Sequence, residues 1–230
     1  MKGGTALQNE LRAWTVNDSI ELYNVGGWGV DFFSINEAGN VSVTPAGPGA
    51  TKIDLKELVD DLCSRGLNLP ILIRFSDILR TRLEQLFGAF QQAIVENEYR
   101  GTFRGVYPVK VNQQRHVVED LMEYGRPFNL GIEVGSKPEL LVALAVQENP
   151  DALILCNGYK DRAFIETALL AQKLGRRVVI TIDRLGELET ILSAAAARIV
   201  SSSPRRSMVI TTRRPSFWAS SAVSMKARSL

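Results

Sequence analysis

The chain has 230 residues, 45% of them hydrophobic, which is enough for one or two domains with a hydrophobic core. Its net charge of +2 hides an asymmetry: seven basic residues and no acid follow position 189, so residues 1–189 carry a net charge of −5. An acidic body argues against a nucleic-acid partner, two distant cysteines exclude a disulfide framework, and a single histidine excludes a histidine-rich metal centre.

The sequence contains no apolar run of 18 or more residues, so we expect neither a transmembrane helix nor a membrane partner. The first residues, Met1–Thr5, lack the apolar stretch of a secretory signal. Cys63 and Cys156 are compatible with a reducing compartment. Together these features predict a cytoplasmic protein.

Residues 1–66 form the first predicted domain, a small α+β extension. Phe33–Asn36 and Val41–Val43 alternate apolar and polar residues around a turn-like segment, which predicts a hairpin. Residues 54–65 have apolar positions at helical spacing and stop near Gly66, which predicts a helix.

Residues 67–198 form the second predicted domain, which begins with an apolar run, Leu69–Phe75, typical of a strand. Ser76 is expected to cap a long helix with Asp77 in its first turn. Four further strands are predicted at 105–111, 129–134, 152–156 and 177–182, each followed by a helix, at 114–124, 137–147, 161–174 and 185–197.

This succession of strands and helices predicts an α/β fold with parallel strands and right-handed crossovers. Units of this length suit either a (β/α)8 barrel or a doubly wound sheet. Neither GxGxxG nor GxxxxGK[ST] follows any of the strands, so a dinucleotide fingerprint and a P-loop are both unsupported.

The first of these strands carries a lysine, Lys110. In a regular strand Val109 and Val111 would share one face, and Lys110 and Asn112 the other. A lysine within a sheet either has an anionic partner or serves covalent chemistry, whereas a lysine at a strand end simply reaches water. Pro108 would remove a ladder donor from the middle of this strand, which indicates a bulge or an irregular strand end.

Residues 107–114, Tyr-Pro-Val-Lys-Val-Asn-Gln-Gln, closely resemble the lysine motif of biosynthetic arginine decarboxylases. These enzymes use pyridoxal phosphate and belong to the fold-type III, alanine-racemase-like group. The resemblance covers about residues 12–197, because further segments match in the same order. These segments are 26–29, 33–36, 72–79, 131–140 and 156–161.

The resemblance implies the N-terminal portion of a (β/α)8 TIM-like barrel, with about four β/α units, preceded by the small extension. It implies that Lys110 holds pyridoxal 5'-phosphate covalently and that the cofactor serves as the electron sink when the carboxylate leaves as CO2. L-arginine would be the substrate and agmatine the product, as in polyamine and spermidine biosynthesis. Magnesium is a family expectation for which we identify no ligand cluster. The full-length family forms homo-oligomers.

Glu133 matches a family position at which an acid lies near the cofactor, where it could orient the lysine or the ring. The alternative is a carboxylate that caps a helix or pairs with Lys137. Ser136, with Glu139 three residues later, is better interpreted as part of a capping box before a helix.

Four other residues near predicted strand ends receive structural interpretations. His116 is interpreted as a structural or surface residue of a helix, since the family's stacking histidine lies further along the barrel. Cys156 is interpreted as a small core residue. Asn157 and Gly158 form a turn signal at the face where barrels carry their chemistry, and turn geometry explains the pair sufficiently.

Residues 199–230 form a basic, serine- and arginine-rich tail that is predicted to be disordered or non-native, although a basic arm for RNA or membrane is the functional alternative. The hypothesis is that the reading frame is shifted or truncated near residue 198. With four of eight units the chain alone is expected to be inactive.

A non-catalytic or regulatory pyridoxal-phosphate-binding homologue is the alternative function. The near rival enzyme is a diaminopimelate or ornithine decarboxylase. Gln113, Gln114 and the long N-terminal region argue against that rival.

Overall fold

The computed structural model describes residues 12–199, 209–212 and 223–224, and the side chains of residues 12–196. Internal contacts separate two units, residues 1–81 and residues 82–230. The boundary between them lies inside the helix Ser76–Glu96. The predicted domain limits at residues 66 and 198 stay predictions.

The first unit contains a three-stranded antiparallel sheet. Its elements in chain order are α1 (Val16–Leu22), α2 (Val25–Gly29), β1 (Phe33–Ile35), β2 (Val41–Val43), β3 (Ile53–Asp54) and α3 (Leu55–Ser64). The predicted hairpin is confirmed, because Phe33 lies opposite Val43 in the β1–β2 pair. The predicted helix is also confirmed: the Asp54 carboxylate caps α3 by accepting two backbone N–H groups, and Gly66 follows the helix with a φ of +92°.

The predicted strand at Leu69–Phe75 is wrong, since this segment belongs to no strand in the described part of the chain. Pro70 has no backbone N–H to offer a neighbouring strand. Leu69 is 66% and Leu72 is 76% exposed, so the apolar character of the run does not reflect burial here. The helix α4, Ser76–Glu96, begins directly after the segment, and the predicted cap residue Ser76 is its first residue.

The second unit is built on a six-stranded sheet in the order β4-β5-β6-β7-β8-β9. The strands are β4 (Val106–Pro108), β5 (Gly131–Val134), β6 (Leu153–Cys156), β7 (Arg177–Ile182), β8 (Val209–Thr212) and β9 (Val223–Ser224). The helices that follow β4 to β7 are α5 (Arg115–Tyr124), α6 (Lys137–Val146), α7 (Arg162–Lys173) and α8 (Leu185–Ile199). Strands β4 to β8 are parallel, so the predicted α/β fold with consecutive β/α units is confirmed.

One face of this sheet is fully buried. Ile132, Ile154 and Ile180 have no exposed surface, and helix residues such as Leu140 and Ile165 are equally buried. Burying each of these side chains contributes about 1.5–3 kcal/mol. The hydrophobic core therefore fixes the strands in register. Among the described helices, none is both long and apolar enough to cross a membrane.

The opposite face of the sheet is only half-buried and carries a row of residues in register. Glu133 of β5 is aligned with Leu155 of β6, which is aligned with Val179 of β7. Pro108 of β4 lies on the other side of Glu133 in the same row. The side chain of Glu133 thus stands on the less covered face, close to the carboxyl ends of the strands.

A fifth parallel strand, β8, continues the sheet beyond the four predicted units, and Ile180 is paired with Ile210. The short strand β9 then pairs with β8 in the antiparallel direction. The prediction that residues 199–230 lack regular structure otherwise lies outside the described residues.

Candidate functional site

Lys110 lies in a 3-10 turn, Val109–Val111, that follows β4 directly. The predicted strand 105–111 is therefore wrong at its C-terminal end, since it stops at Pro108, where the missing N–H ends regular pairing. Val109 is 1% and Val111 is 69% exposed, so the two valines do not share a face. The Lys110 side chain is exposed at the carboxyl edge of the sheet rather than buried within it.

The turn that carries Lys110 is closed by side chains on either side of it. The Tyr107 hydroxyl donates a hydrogen bond to the Asn112 carbonyl oxygen across 3.0 Å. The Asn112 side-chain oxygen accepts the backbone N–H of Gln114 at 3.0 Å, immediately before α5. Partial burial raises the pKa of the Tyr107 phenol.

A cavity of about 490 Å³ opens at this edge of the sheet, within the usual size range of ligand pockets. Its lining comes from the ends of four successive parallel strands and from the first turn of α6. The lining residues are Lys110, Glu133, Gly135, Ser136, Glu139, Asn157, Gly158 and Asp183. One cation and three carboxylates thus surround the same space.

Both residues selected from the sequence, Lys110 and Glu133, line this cavity. The Glu133 carboxylate accepts a hydrogen bond from the Asn157 side-chain amide at 2.9 Å. Within the described residues no ion pair joins Glu133 to Lys137, so that alternative finds no support. Asn157 does more than form a turn, because it lines the cavity and holds the acid.

A buried lysine that the sequence analysis missed lies beneath the rim of the cavity. The Lys160 side chain is 1% exposed, and its amine faces Asp183 at 3.3 Å and Glu187 at 3.5 Å. The amine also donates to the carbonyl oxygen of Gly158. The Glu187 carboxylate accepts the backbone N–H groups of Lys160 and Asp183 as well, so it joins the loops after β6 and β7.

The loops after β5 and β6 approach each other closely at two glycines. Gly158 has a φ of +94°, a conformation that favours glycine. A Cβ on Gly158 would lie 3.2 Å from the carbonyl oxygen of Gly135. This contact and the Lys160 ion pairs fix the backbone on one side of the cavity.

The helix-capping interpretation of Ser136 is confirmed, since its side chain accepts the Glu139 N–H at 3.4 Å at the start of α6. The box is modified, however, because the Glu139 carboxylate accepts the N–H of Gly135 rather than that of Ser136. Cys156 is fully buried, and burial raises the pKa of its thiol to about 12, as suits a core residue. His116 is exposed on α5, as predicted.

The lining residues fit part of a pyridoxal phosphate molecule. Lys110 offers a primary amine for the aldehyde, and Glu133 offers a carboxylate that can face a protonated ring nitrogen. The lining contains no arginine for the phosphate group, and the Gly135 N–H already donates to Glu139. Within the described residues, no group of three or more acidic, histidine or cysteine side chains is placed to hold a metal ion.

Comparison with known proteins agrees with this geometry. A family model described as pyridoxal-dependent decarboxylase, pyridoxal binding domain, matches residues 82–211, so the match extends past residue 197, where the sequence analysis ended the resemblance. The biosynthetic arginine decarboxylase of Gloeobacter violaceus is 56% identical over 185 residues, which are 80% of this chain and 29% of that protein. The corresponding protein of Prochlorococcus marinus strain MIT 9303 is 49% identical over 214 residues, or 91% of this chain and 32% of that protein.

Among solved structures, the biosynthetic arginine decarboxylase SpeA from Campylobacter jejuni is similar, with a TM-score of 0.73 and 35% sequence identity. The similar region covers 82% of this chain and 30% of that chain. The chain thus spans about a third or less of the length of the relatives it matches.

Proposed function

The chain belongs to the pyridoxal-dependent decarboxylases, and on that premise we propose that it forms the pyridoxal-phosphate-binding part of a biosynthetic arginine decarboxylase. The proposed reaction converts L-arginine to agmatine and CO2, a step that supplies polyamine and spermidine biosynthesis. The observation that supports the proposal most is the common cavity of Lys110 and Glu133 at the carboxyl ends of parallel strands.

Lys110 is the proposed attachment point of the cofactor. Its amine is exposed at the cavity. The turn that carries it is closed by the hydrogen bond between Tyr107 and Asn112, so the amine can reach an aldehyde without any change in the strand. When bound, pyridoxal phosphate supplies the electron sink that makes loss of the substrate carboxylate possible. With the cofactor bound, Lys110 would be placed to donate a proton at the substrate Cα, which the reaction requires in exchange for CO2.

Glu133 is the proposed acid beside the cofactor ring. Its carboxylate is held by the Asn157 amide and stands on the less covered face of β5. A carboxylate fixed in this way can stabilise a positive charge on a ring nitrogen without moving. Glu133 therefore orients the ring, while Lys110 holds it.

Arginine is the proposed substrate because the relatives with about 50% identity are named biosynthetic arginine decarboxylases. The same similarity gives less support to a diaminopimelate or ornithine decarboxylase and to a non-catalytic homologue. As in the full-length family, we propose a homo-oligomer. A cytoplasmic location is supported by two free cysteines, Cys63 and Cys156.

Reductive trapping tests the role of Lys110. The chain is incubated with pyridoxal phosphate and reduced with borohydride, and the labelled peptides are identified by mass spectrometry. The expected label is on Lys110 and is lost in Lys110→Ala. Lys137→Ala serves as the control, since Lys137 is an exposed lysine close in sequence to the cavity residue Ser136. A label spread evenly over surface lysines and unchanged in Lys110→Ala contradicts the proposal.

Isotope release tests the substrate. Arginine, ornithine and diaminopimelate, each with a labelled carboxyl carbon, are supplied separately with the cofactor, and labelled CO2 is measured. Because the chain alone is expected to be inactive, little CO2 should form from any of the three, and any release above that of Lys110→Ala should come from arginine. Faster release from ornithine or diaminopimelate overturns the assignment of arginine.

A further inference from the structure

A chain of hydrogen bonds crosses three neighbouring strands and ends at the cavity. The Thr181 hydroxyl on β7 lies 3.0 Å from the side-chain oxygen of Asn157, which follows β6. The Asn157 amide nitrogen in turn donates to the Glu133 carboxylate on β5 at 2.9 Å. Thr181 is 8% exposed and is not among the residues that line the cavity.

The orientation of the Asn157 amide follows from its neighbours. A carboxylate only accepts hydrogen bonds, so the NH2 group must face Glu133. The side-chain oxygen then faces two donors, the Thr181 hydroxyl and the Gly158 N–H, which lies 3.1 Å away. Turning the amide over would place two donors against each other and an oxygen against the carboxylate.

Of the two donors to the Asn157 oxygen, Thr181 is the one that lies on a different strand, β7. The Gly158 N–H belongs to the residue next to Asn157, so it moves with the same turn. The Cys156 carbonyl oxygen, at 3.2 Å, is a second acceptor for the one Thr181 hydroxyl proton, and the Asn157 oxygen at 3.0 Å is the nearer of the two. Thr181 is fixed in the sheet because β7 pairs with β6 in register, so its hydroxyl can hold the amide at a fixed position.

We propose that Thr181 is a positioning residue that acts through Asn157 to hold the Glu133 carboxylate in place at the cavity. This inference rests on the proposed function, because it gives Glu133 the role of orienting the cofactor ring. Thr181 does not line the cavity, and among the residues that do, its hydroxyl contacts Asn157.

The first test reads the amide directly, in the chain without cofactor. Thr181→Val keeps the shape and the strand preference of the side chain but removes the hydroxyl. Solvent exchange of the Asn157 amide protons, followed by NMR, is expected to become about two- to tenfold faster, the range for losing one neutral hydrogen bond. Thr181→Ser should restore slow exchange, because serine keeps the hydroxyl.

The second test reads the cofactor. The affinity for pyridoxal phosphate is expected to fall about two- to tenfold in Thr181→Val and to recover in Thr181→Ser. Trapping at Lys110 should persist at saturating cofactor, since the lysine is untouched. Thr190→Val is the matched control, because Thr190 makes its hydrogen bond within α8 and is expected to change neither measurement.

The two tests separate the two proposals. If the wild-type chain never labels at Lys110, the proposed function fails, and exchange at Asn157 alone decides on the role of Thr181. Asn157 exchange that is the same in Thr181→Val and wild type overturns the inference, as does a failure of Thr181→Ser to restore it. If Thr181→Val does not fold, Thr181→Ala removes the same hydroxyl with a smaller side chain. Faster Asn157 exchange in this variant supports the arrangement, and unchanged exchange refutes it.

Discussion

Replacing Lys160 with methionine is expected to destabilise the second unit strongly. The change keeps most of the side-chain volume but removes a cation that is 1% exposed from two carboxylates at 3.3 and 3.5 Å. At an effective dielectric constant of about 20, each pair attracts by about 5 kcal/mol before desolvation is subtracted. Removing one partner of a buried pair typically costs about 3–5 kcal/mol.

The lower end of that range is the better expectation here. Asp183 is 29% exposed, so water can solvate its carboxylate after the lysine is gone. Glu187 is 6% exposed but accepts two backbone N–H groups, which compensate part of its lost pairing. We therefore expect a loss of about 3 kcal/mol in the free energy of unfolding.

The two cysteines provide the assay. Cys63 is exposed and reacts with a thiol reagent at once, whereas Cys156 is fully buried and reacts only when the sheet opens. A loss of about 3 kcal/mol should make labelling of Cys156 about 100-fold faster or more. Labelling of Cys63 provides an internal reference in the same sample.

An exposed ion pair in the same unit gives the matched control. Arg162 and Glu166 are 2.9 Å apart but 61% and 39% exposed, so Arg162→Met should cost only about 0.3–0.5 kcal/mol. In the double variant Lys160→Met and Glu187→Gln, the Glu187 charge that Lys160→Met leaves unpaired is also removed. The loss in the free energy of unfolding should therefore be about 1–3 kcal/mol less than the sum of the losses in the two single variants. A Lys160→Met variant no less stable than Arg162→Met, or simple additivity, refutes the reasoning.

Two further predictions concern residues around the cavity. Gly158→Ala should lower the free energy of unfolding in urea more than Gly175→Ala. Both glycines have a positive φ, which costs an alanine about 1–2 kcal/mol at either position. Of the two, Gly158 is the one at which a Cβ would meet a neighbouring atom, the Gly135 carbonyl oxygen. Equal losses would contradict this. Burial raises the pKa of the Cys156 thiol from 9.0 to about 12, and the charge of Lys160 opposes this effect to a smaller extent. Between these pH values the folded chain therefore keeps a proton that the unfolded chain releases. The free energy of unfolding should thus fall as pH rises from about 9 towards 12, and less so in Cys156→Ala; equal slopes would argue against it.

Periodicity in the sequence predicted most of the second unit. The limits of β7 were predicted to the residue, and α7 begins after Asp161, whose carboxylate accepts the Phe164 N–H as a helix cap. These features depend on neighbours along the chain, which the sequence displays. The strand with Lys110 was predicted too long because Pro108 was treated as an irregularity rather than as the end of pairing.

The contacts that complete the site depend on residues far apart in sequence. Glu133 and Asn157 are 24 positions apart, and Lys160 and Glu187 are 27 apart. No single-sequence pattern joins such residues before the register of the sheet is known. Their position in the sequence was nevertheless informative, because polar residues at or just after the ends of parallel strands meet at one edge of the sheet. Applied to every strand, that rule would have selected Asn157 and Asp183.

The end of β4 at Pro108 has a consequence for self-association. Within the described sheet β4 is an edge strand, paired on one side with β5 alone. It is three residues long, it ends in a proline, and a charged lysine follows in the turn. Short length, proline and lysine are the means by which natural edge strands resist the addition of strands from other molecules. The residues that bring Lys110 to the cavity thereby also oppose intermolecular sheet growth along this edge.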